Sequence, residues 1–199
     1  MAGFRTAPLL IAALAFGAGA PALAAAPGPD YGVGQTATQA QISAWNIDVE
    51  PDGKNLPAGS GTVADGAQVY ATQCAVCHGA KGEGGEVPGQ GTAPRLVGGI
   101  GTLASAHPVK TVGSYWPYAT TVFDYIRRAM PFQAPGSLSN DQVYALVAYI
   151  LNLNGIVPDD AVMDRKMLPK VEMPNRNGFV WPDPRPDTHA TACMTDCPQ

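Results

Sequence analysis

Charge is scarce in this 199-residue chain: Asp, Glu, Lys and Arg make up 14% of it, 12 basic against 16 acidic residues. No Lys/Arg stripe offsets that acidic balance, which removes the electrostatic basis for nucleic-acid binding. Long apolar runs are missing beyond the first 24 residues, so no membrane anchor is expected in the mature chain. Internal repeats and coiled-coil heptads are absent as well. Cysteine is limited to four residues and histidine to three, so metal or redox chemistry has few positions to work from. The length suits one ordinary domain with extensions and excludes two full-sized ones.

What is present begins with "MAGFRTAPLLIAALAFGAGAPALAAAPGPD". One basic residue, Arg5, precedes an apolar run from Pro8 to Ala20, and small residues close it at Ala22-Leu23-Ala24. That three-part layout is a secretory signal peptide, with cleavage expected after Ala24. No cysteine lies beside the cleavage site, so a soluble exported protein is expected, in the periplasm. Three zones follow. Residues 25–63 are rich in Gly, Pro and polar side chains and read as an extended N-terminal arm, with Trp45 and Ile47 as its expected anchors to the core. Residues 64–155 hold the apolar periodicity of a helical domain, and 156–199 form a Pro-rich C-terminal extension where helix is disfavoured.

Three helices are expected in the middle zone. The first, "ADGAQVYATQCAVCHG", starts near Asp65 as N-cap. The second, "PYATTVFDYIRRAM", has Pro117 near its start and places Val122, Phe123, Ile126 and Met130 at helical spacing. The third, "SLSNDQVYALVAYILNLNG", opens on a Ser139/Gln142 capping box, and Val143, Leu146, Val147, Ile150 and Leu151 form one apolar stripe before Gly155 ends it. Between the first two helices the chain reads as loop, and no substantial sheet is expected.

"TQCAVCHGAKGEG" carries the chemistry. A structural zinc site would need a second ligand pair, and Cys193 and Cys197 lie far off in the tail. A redox dithiol belongs in a βαβ setting, which is missing. The remaining reading is covalent attachment of haem c: Cys74 and Cys77 add to the two vinyl groups, and His78 supplies the proximal nitrogen to iron. Thioethers at positions one and four of a helical turn face the same porphyrin edge, which brings the next residue beneath the metal.

The sixth ligand decides between electron transfer and chemistry at an open iron. The candidates are Met130, Met163, Met167, Met173 and Met194, and the histidines His107 and His189. Met130 is favoured because it ends the second helix in "RRAMPFQAPGS", where Pro131 stops the helix and a loop can present the thioether. Met173, another Met, His107 or an open site are the alternatives. Pro94, in "GTAPRLVGG", is the candidate acceptor for the other ring N–H of His78. Arg95, Tyr115, Trp116 and Tyr118 could bond haem propionates or could simply pack. "GGIGTLA" imitates a dinucleotide fingerprint but lacks strand-turn-helix context and reads as loop. In "HATACMTDC", a metal site from His189, Cys193 and Cys197 lacks an obvious fourth ligand. A local disulfide is the blander reading.

Through "CAVCHG", "APRL", "MP" and "LVAYILNLN" the chain resembles the class I cytochrome c family over roughly residues 64–154. The resemblance implies a mainly α fold of three to five helices around one covalent haem c. It also implies a contact between the terminal helices, with Gly66 and Tyr70 facing Leu146 and Tyr149. "ISAWNIDVEPDGKNLPAGSGTVADGAQVY", "YWPYATTVFDYIRRAMPFQAPGSLSNDQVYALVAYILNLNGIVP" and "MPNRNGFVWPDPRPD" are similar to the cytochrome subunit of Sox-type sulfane/sulfite dehydrogenases. That resemblance implies a molybdenum subunit of the sulfite oxidase type as electron donor and a downstream periplasmic cytochrome as acceptor. Larger members of that group have two haem domains, whereas this chain has one CxxCH. The rival expectations are a freely diffusing carrier, and a haem enzyme or gas sensor with a displaceable sixth ligand.

Overall fold

The computed structural model describes residues 33–89, 91–180 and 182. The expected leader at 1–24, and His189, Cys193, Met194 and Cys197, lie outside the described residues. Contacts divide the chain after Gln39, and the unit from Ala40 onward carries the fold described below.

In chain order the elements are α1 (Gln39–Trp45), β1 (Ser60–Thr62), α2 (Val63–Gln73), α3 (Ala75–His78), β2 (Gly85–Val87), β3 (Gly91–Ala93), α4 (Val112–Tyr115), α5 (Ala119–Ala129), α6 (Asn140–Leu153) and β4 (Val162–Asp164). A 3₁₀ turn at Leu168–Lys170 follows. Five helices, α2 to α6, therefore fall within the expected domain. Among the described residues the sheets are two antiparallel pairs, β1 with β4 and β2 with β3. The expected first helix, 64–79, is broken at Cys74 into α2 and the single turn α3, and the stretch after it, expected as loop, contains the β2–β3 hairpin and the short helix α4. Strands of three residues carry too little periodicity to show in the sequence.

Helix starts are set by side chains that take up orphan amides. Thr62, not Asp65, is the N-cap of α2: its Oγ1 accepts from the Asp65 N–H at 3.0 Å, and the Asp65 carboxylate accepts from the Thr62 N–H at 3.4 Å. The reciprocal box puts Asp65 at the third helical position, where it also complements the helix dipole. Ser139 and Gln142 form the same box on α6, as expected, and Gly155 follows its C-cap with φ +69°. That left-handed conformation ends the helix at little cost for glycine.

The core forms where α2 lies across α6. A Cβ at Gly66 would overlap the Ala145 carbonyl and come within 2.7 Å of Tyr149 Cβ. Gly61 of β1 abuts the Ala145 backbone in the same way. The Tyr70 and Tyr149 rings pack with centroids 5.2 Å apart. Leu146, expected at this crossing, is buried but turns toward the cavity described below, and Ala145 takes its place. The approach requires glycine at 66, because what it meets is the Ala145 backbone, and the Ala145 methyl itself faces Gly61.

The segment before β1 is fixed differently from the sequence expectation. Trp45 is 85% exposed and Ile47 41%, whereas Val49 and Leu56 are buried. The α1 sequence has no buried residue at all. Polar contacts fasten the arm beside Val49 and Leu56: the Val49 N–H donates to Asp124 Oδ1 at 3.2 Å, and Arg128 bridges Asp48 at 2.9 Å and Asp124 at 2.5 Å. A nearly buried carboxylate needs such partners, and their demands put Val49 rather than Trp45 inside. The C-terminal extension docks through β4 and through Met163, Leu168 and Met173, all buried.

Gly66→Val is expected to destabilise the protein by about 1–3 kcal/mol through overpacking, lowering the thermal midpoint by several degrees. An unchanged melting curve would show that the helices do not cross there.

Candidate functional site

Helix α2 delivers the cluster. Its last backbone bonds run on into Cys74, whose N–H donates to the Tyr70 carbonyl at 2.9 Å. The chain then makes the single turn α3, in which the Cys77 and His78 N–H groups both donate to the Cys74 carbonyl, at 3.1 and 2.9 Å. Cys74, Cys77 and His78 thereby share one turn, and both thiols are unpaired. Gly79 follows with φ +79°, and its carbonyl accepts from the Tyr70 hydroxyl at 2.9 Å. Tyr70 thus holds the chain at the exit of the turn. Burial pushes its phenol above the ordinary value, so it stays a neutral donor across the physiological range. Burial also pushes the Cys74 thiol up to about 11, with Cys77 beside it adding to the effect.

The expected contact of Pro94 is present: its carbonyl lies 2.9 Å from His78 Nδ1. A carbonyl can only accept, so Nδ1 is the donor and carries a proton, and in the neutral ring Nε2 is the nitrogen with the lone pair. The loop bearing Pro94 is itself held, since Leu96 N–H donates to the Gly82 carbonyl at 2.8 Å and Asn154 Nδ2 donates to the Leu96 carbonyl at 3.2 Å.

These residues open on a cavity of about 420 Å³. Cys74, Cys77 and His78 line it from α3 and its approach, and Met130 lines it from the end of α5. Its apolar wall is Leu96, Val112, Val122, Ile126, Leu146 and Ile150, and Arg95 and Lys110 contribute cationic side chains. Met130 is placed by its neighbour: its N–H closes the last turn of α5 on the Ile126 carbonyl at 3.0 Å, and its backbone is extended (φ −123°, ψ 148°). A residue preceding proline is pushed out of the helical region, so Pro131 turns the side chain away from the helix path.

Among the described residues the alternatives to Met130 are elsewhere. Met163 and Met173 are buried in the core and Met167 is exposed, and none lines the cavity. His107 is exposed on the loop before α4. Among the aromatic candidates Trp116 lines the cavity, whereas Tyr115 packs on Phe179 and Tyr118 lies under Arg176. Tyr125, Lys110 and Phe132 reach the cavity without having been singled out in the sequence. Val122, Ile126 and Met130, four residues apart, do share one helical face that the sequence displays. Tyr125 reaches the cavity beside Trp116, against which it packs edge-on at 5.6 Å, a contact with no sequence signal.

Comparison with known proteins agrees with this geometry. The cytochrome c family model matches residues 63–154. A chain of the crystal structure of the sulfane dehydrogenase SoxCD from Paracoccus pantotrophus aligns with a TM-score of 0.67 and 44% identity, over 85% of this chain and 83% of that one. The chain belongs to the cytochrome c family. The thiosulfate dehydrogenase of Stutzerimonas stutzeri (strain A1501) is 31% identical over 120 residues, 54% of this chain and 36% of that protein. This cytochrome c thus spans about a third of that relative's length.

The family carries covalently bound haem c, and Cys74 and Cys77 fit its attachment motif. The site suits the group on its own terms. Two free thiols, an imidazole with its Nε2 free, and a thioether open on one largely apolar cavity. The cytochrome's role is electron transfer.

Tyr70→Phe removes the donor to Gly79 and is expected to cost about 1–2 kcal/mol, read from the urea midpoint. The Tyr70 pKa is raised on folding, so this contribution is fully present below pH about 10 and is lost as pH rises beyond it. Wild type should therefore lose stability above that pH more steeply than the variant, and equal slopes would refute the assignment.

Proposed function

We propose that this cytochrome c is the electron-accepting subunit of a sulfur-oxidising dehydrogenase in the periplasm, with His78 and Met130 as axial ligands. The observation that carries the ligand assignment is the convergence of His78, held at Nδ1 by Pro94, and Met130 on the cavity that also receives both attachment cysteines. Haem c, when bound, supplies an iron that exchanges one electron between Fe(III) and Fe(II). The chain does the rest. Pro94 orients the imidazole by accepting from its Nδ1–H, which leaves Nε2 as the nitrogen that would hold the metal. The end of α5 presents a thioether, a soft neutral donor that would hold the iron and favour its reduced form. Leu96, Val112, Val122, Ile126, Leu146 and Ile150 exclude water, which penalises the more highly charged oxidised form and raises the potential further.

The partner reading is supported by how far the similarity extends. The match to the sulfane dehydrogenase chain covers 85% of this chain, whereas the family model covers 63–154. The excess is longer than either flank alone, so the likeness reaches into both the arm and the C-terminal extension. A free carrier has no need of either flank. A molybdenum subunit of the sulfite oxidase type is the donor this reading implies, with a downstream periplasmic cytochrome as acceptor. Export by the leader ending at Ala24 completes it.

Two measurements test the proposal. The weak far-red absorption band of Met-ligated Fe(III) should be present in the oxidised wild type and absent in Met130→Ala, which should bind carbon monoxide readily when reduced. Retention of the band in the variant would refute Met130 as ligand. Native protein released from the periplasm should begin at Ala25 and co-purify with a molybdenum-containing subunit; isolation as a lone cytochrome would favour the diffusing carrier.

A further inference from the structure

The C-terminal extension makes contacts that the electron-transfer reading does not use. Met173 is buried in the core and anchors a turn whose Arg176 N–H donates to the Met173 carbonyl at 3.0 Å. From that turn Asn175 Nδ2 donates to the Tyr115 carbonyl at 2.7 Å. The Arg176 guanidinium lies 5.5 Å from the centre of the Tyr118 ring, and the Phe179 ring meets Tyr115 edge-on at 5.4 Å. Three contacts thus fall on the two residues, Tyr115 at the end of α4 and Tyr118 before α5, that bound the joint between these helices.

Of its own the joint has one side-chain bond, Thr121 Oγ1 donating to the Tyr118 carbonyl at 2.8 Å. Trp116 is the extended C-cap of α4, Pro117 has no N–H, and Tyr118 is the extended N-cap of α5 without a side-chain cap bond. Yet Trp116 lines the cavity and packs on Tyr125, which lines it too. The position of an aromatic wall of the cavity therefore depends on a backbone that helical hydrogen bonding does not fix.

We propose that Asn175, Arg176 and Phe179 form a positioning strap that holds the Tyr115–Tyr118 joint, and through it Trp116 and Tyr125, against the haem cavity. Releasing the strap lets the indole swing and admits water beside the cofactor, and a wetter surround lowers the reduction potential. The inference rests on the haem reading of the site, but the strap itself is a property of the polypeptide.

The test uses the full-length holoprotein. Asn175→Asp keeps the shape and loses the donor, Phe179→Leu loses the ring, and Phe179→Tyr restores it. In the first two, hydrogen exchange across residues 115–119 should accelerate about tenfold while that of α6 stays unchanged. Their reduction potentials should fall, the far-red methionine band should persist, and Phe179→Tyr should behave as wild type. Wild-type exchange in both disrupting variants would overturn the proposal. So would faster exchange at an unchanged potential, which would make the contacts merely structural, or acceleration that spreads equally to α6. Arg176→Ala, a surface change, provides a milder third variant should either of the others fold poorly. Failure of wild type to retain haem on a denaturing gel would instead refute the haem reading, and exchange at 115–119 would still report on the strap.

Discussion

Everything in this molecule is referred to the close approach of α2 and α6. Gly66 lets the two backbones come within contact at Ala145, and the rings of Tyr70 and Tyr149 fill the space beside it. Because α2 runs straight into Cys74, that crossing also sets where the attachment turn begins. Because α6 is fixed at the same point, Leu146 and Ile150, one and five residues further on, are delivered to the cavity wall. A single steric constraint thus couples the stability of the fold to the placement of the site.

Helix α5 is the second positioned element, and it is held from outside the domain's own helices. The N-terminal arm reaches it through Asp48, Val49 and the Thr120–Pro51 hydrogen bond of 3.2 Å. The C-terminal extension reaches the joint at its start through Asn175, Arg176 and Phe179. Since α5 ends in Met130, both flanks bear on the cavity without lining it. The ion pairs of Arg128 illustrate how: Asp124 is mostly buried and gains from a close cation, whereas Asp48 is exposed and adds mainly direction.

The chemistry divides between local and distant residues. The attachment turn is local, and its geometry follows from consecutive hydrogen bonds to one carbonyl. The orientation of His78 is distant, set by Pro94 on a loop whose Leu96 is tied to the Gly82 carbonyl and to the end of α6 at Asn154. That loop carries the sequence that imitated a dinucleotide fingerprint. One of its glycines serves packing instead: at Gly99 φ is +74° and Val109 leaves no room for a side chain.

By itself the sequence determined the cofactor attachment, the three main helices with the capping box of α6, and the pairing of His78 with Pro94. The first two are written in short-range spacing, which fixes helical turns and backbone donors directly; Pro94, 16 residues from His78, showed only as a stiff backbone with a carbonyl to offer. Tertiary structure alone decided that Ala145 rather than Leu146 meets Gly66, and that Val49 rather than Trp45 anchors the arm. It also brought Trp116 and Tyr125 together at the cavity while leaving Tyr115 and Tyr118 to the C-terminal extension. Hydrophobicity tells that a side chain prefers burial, but which of several apolar neighbours is buried depends on the shape and hydrogen-bonding demands of a surface contributed by residues far away in the chain.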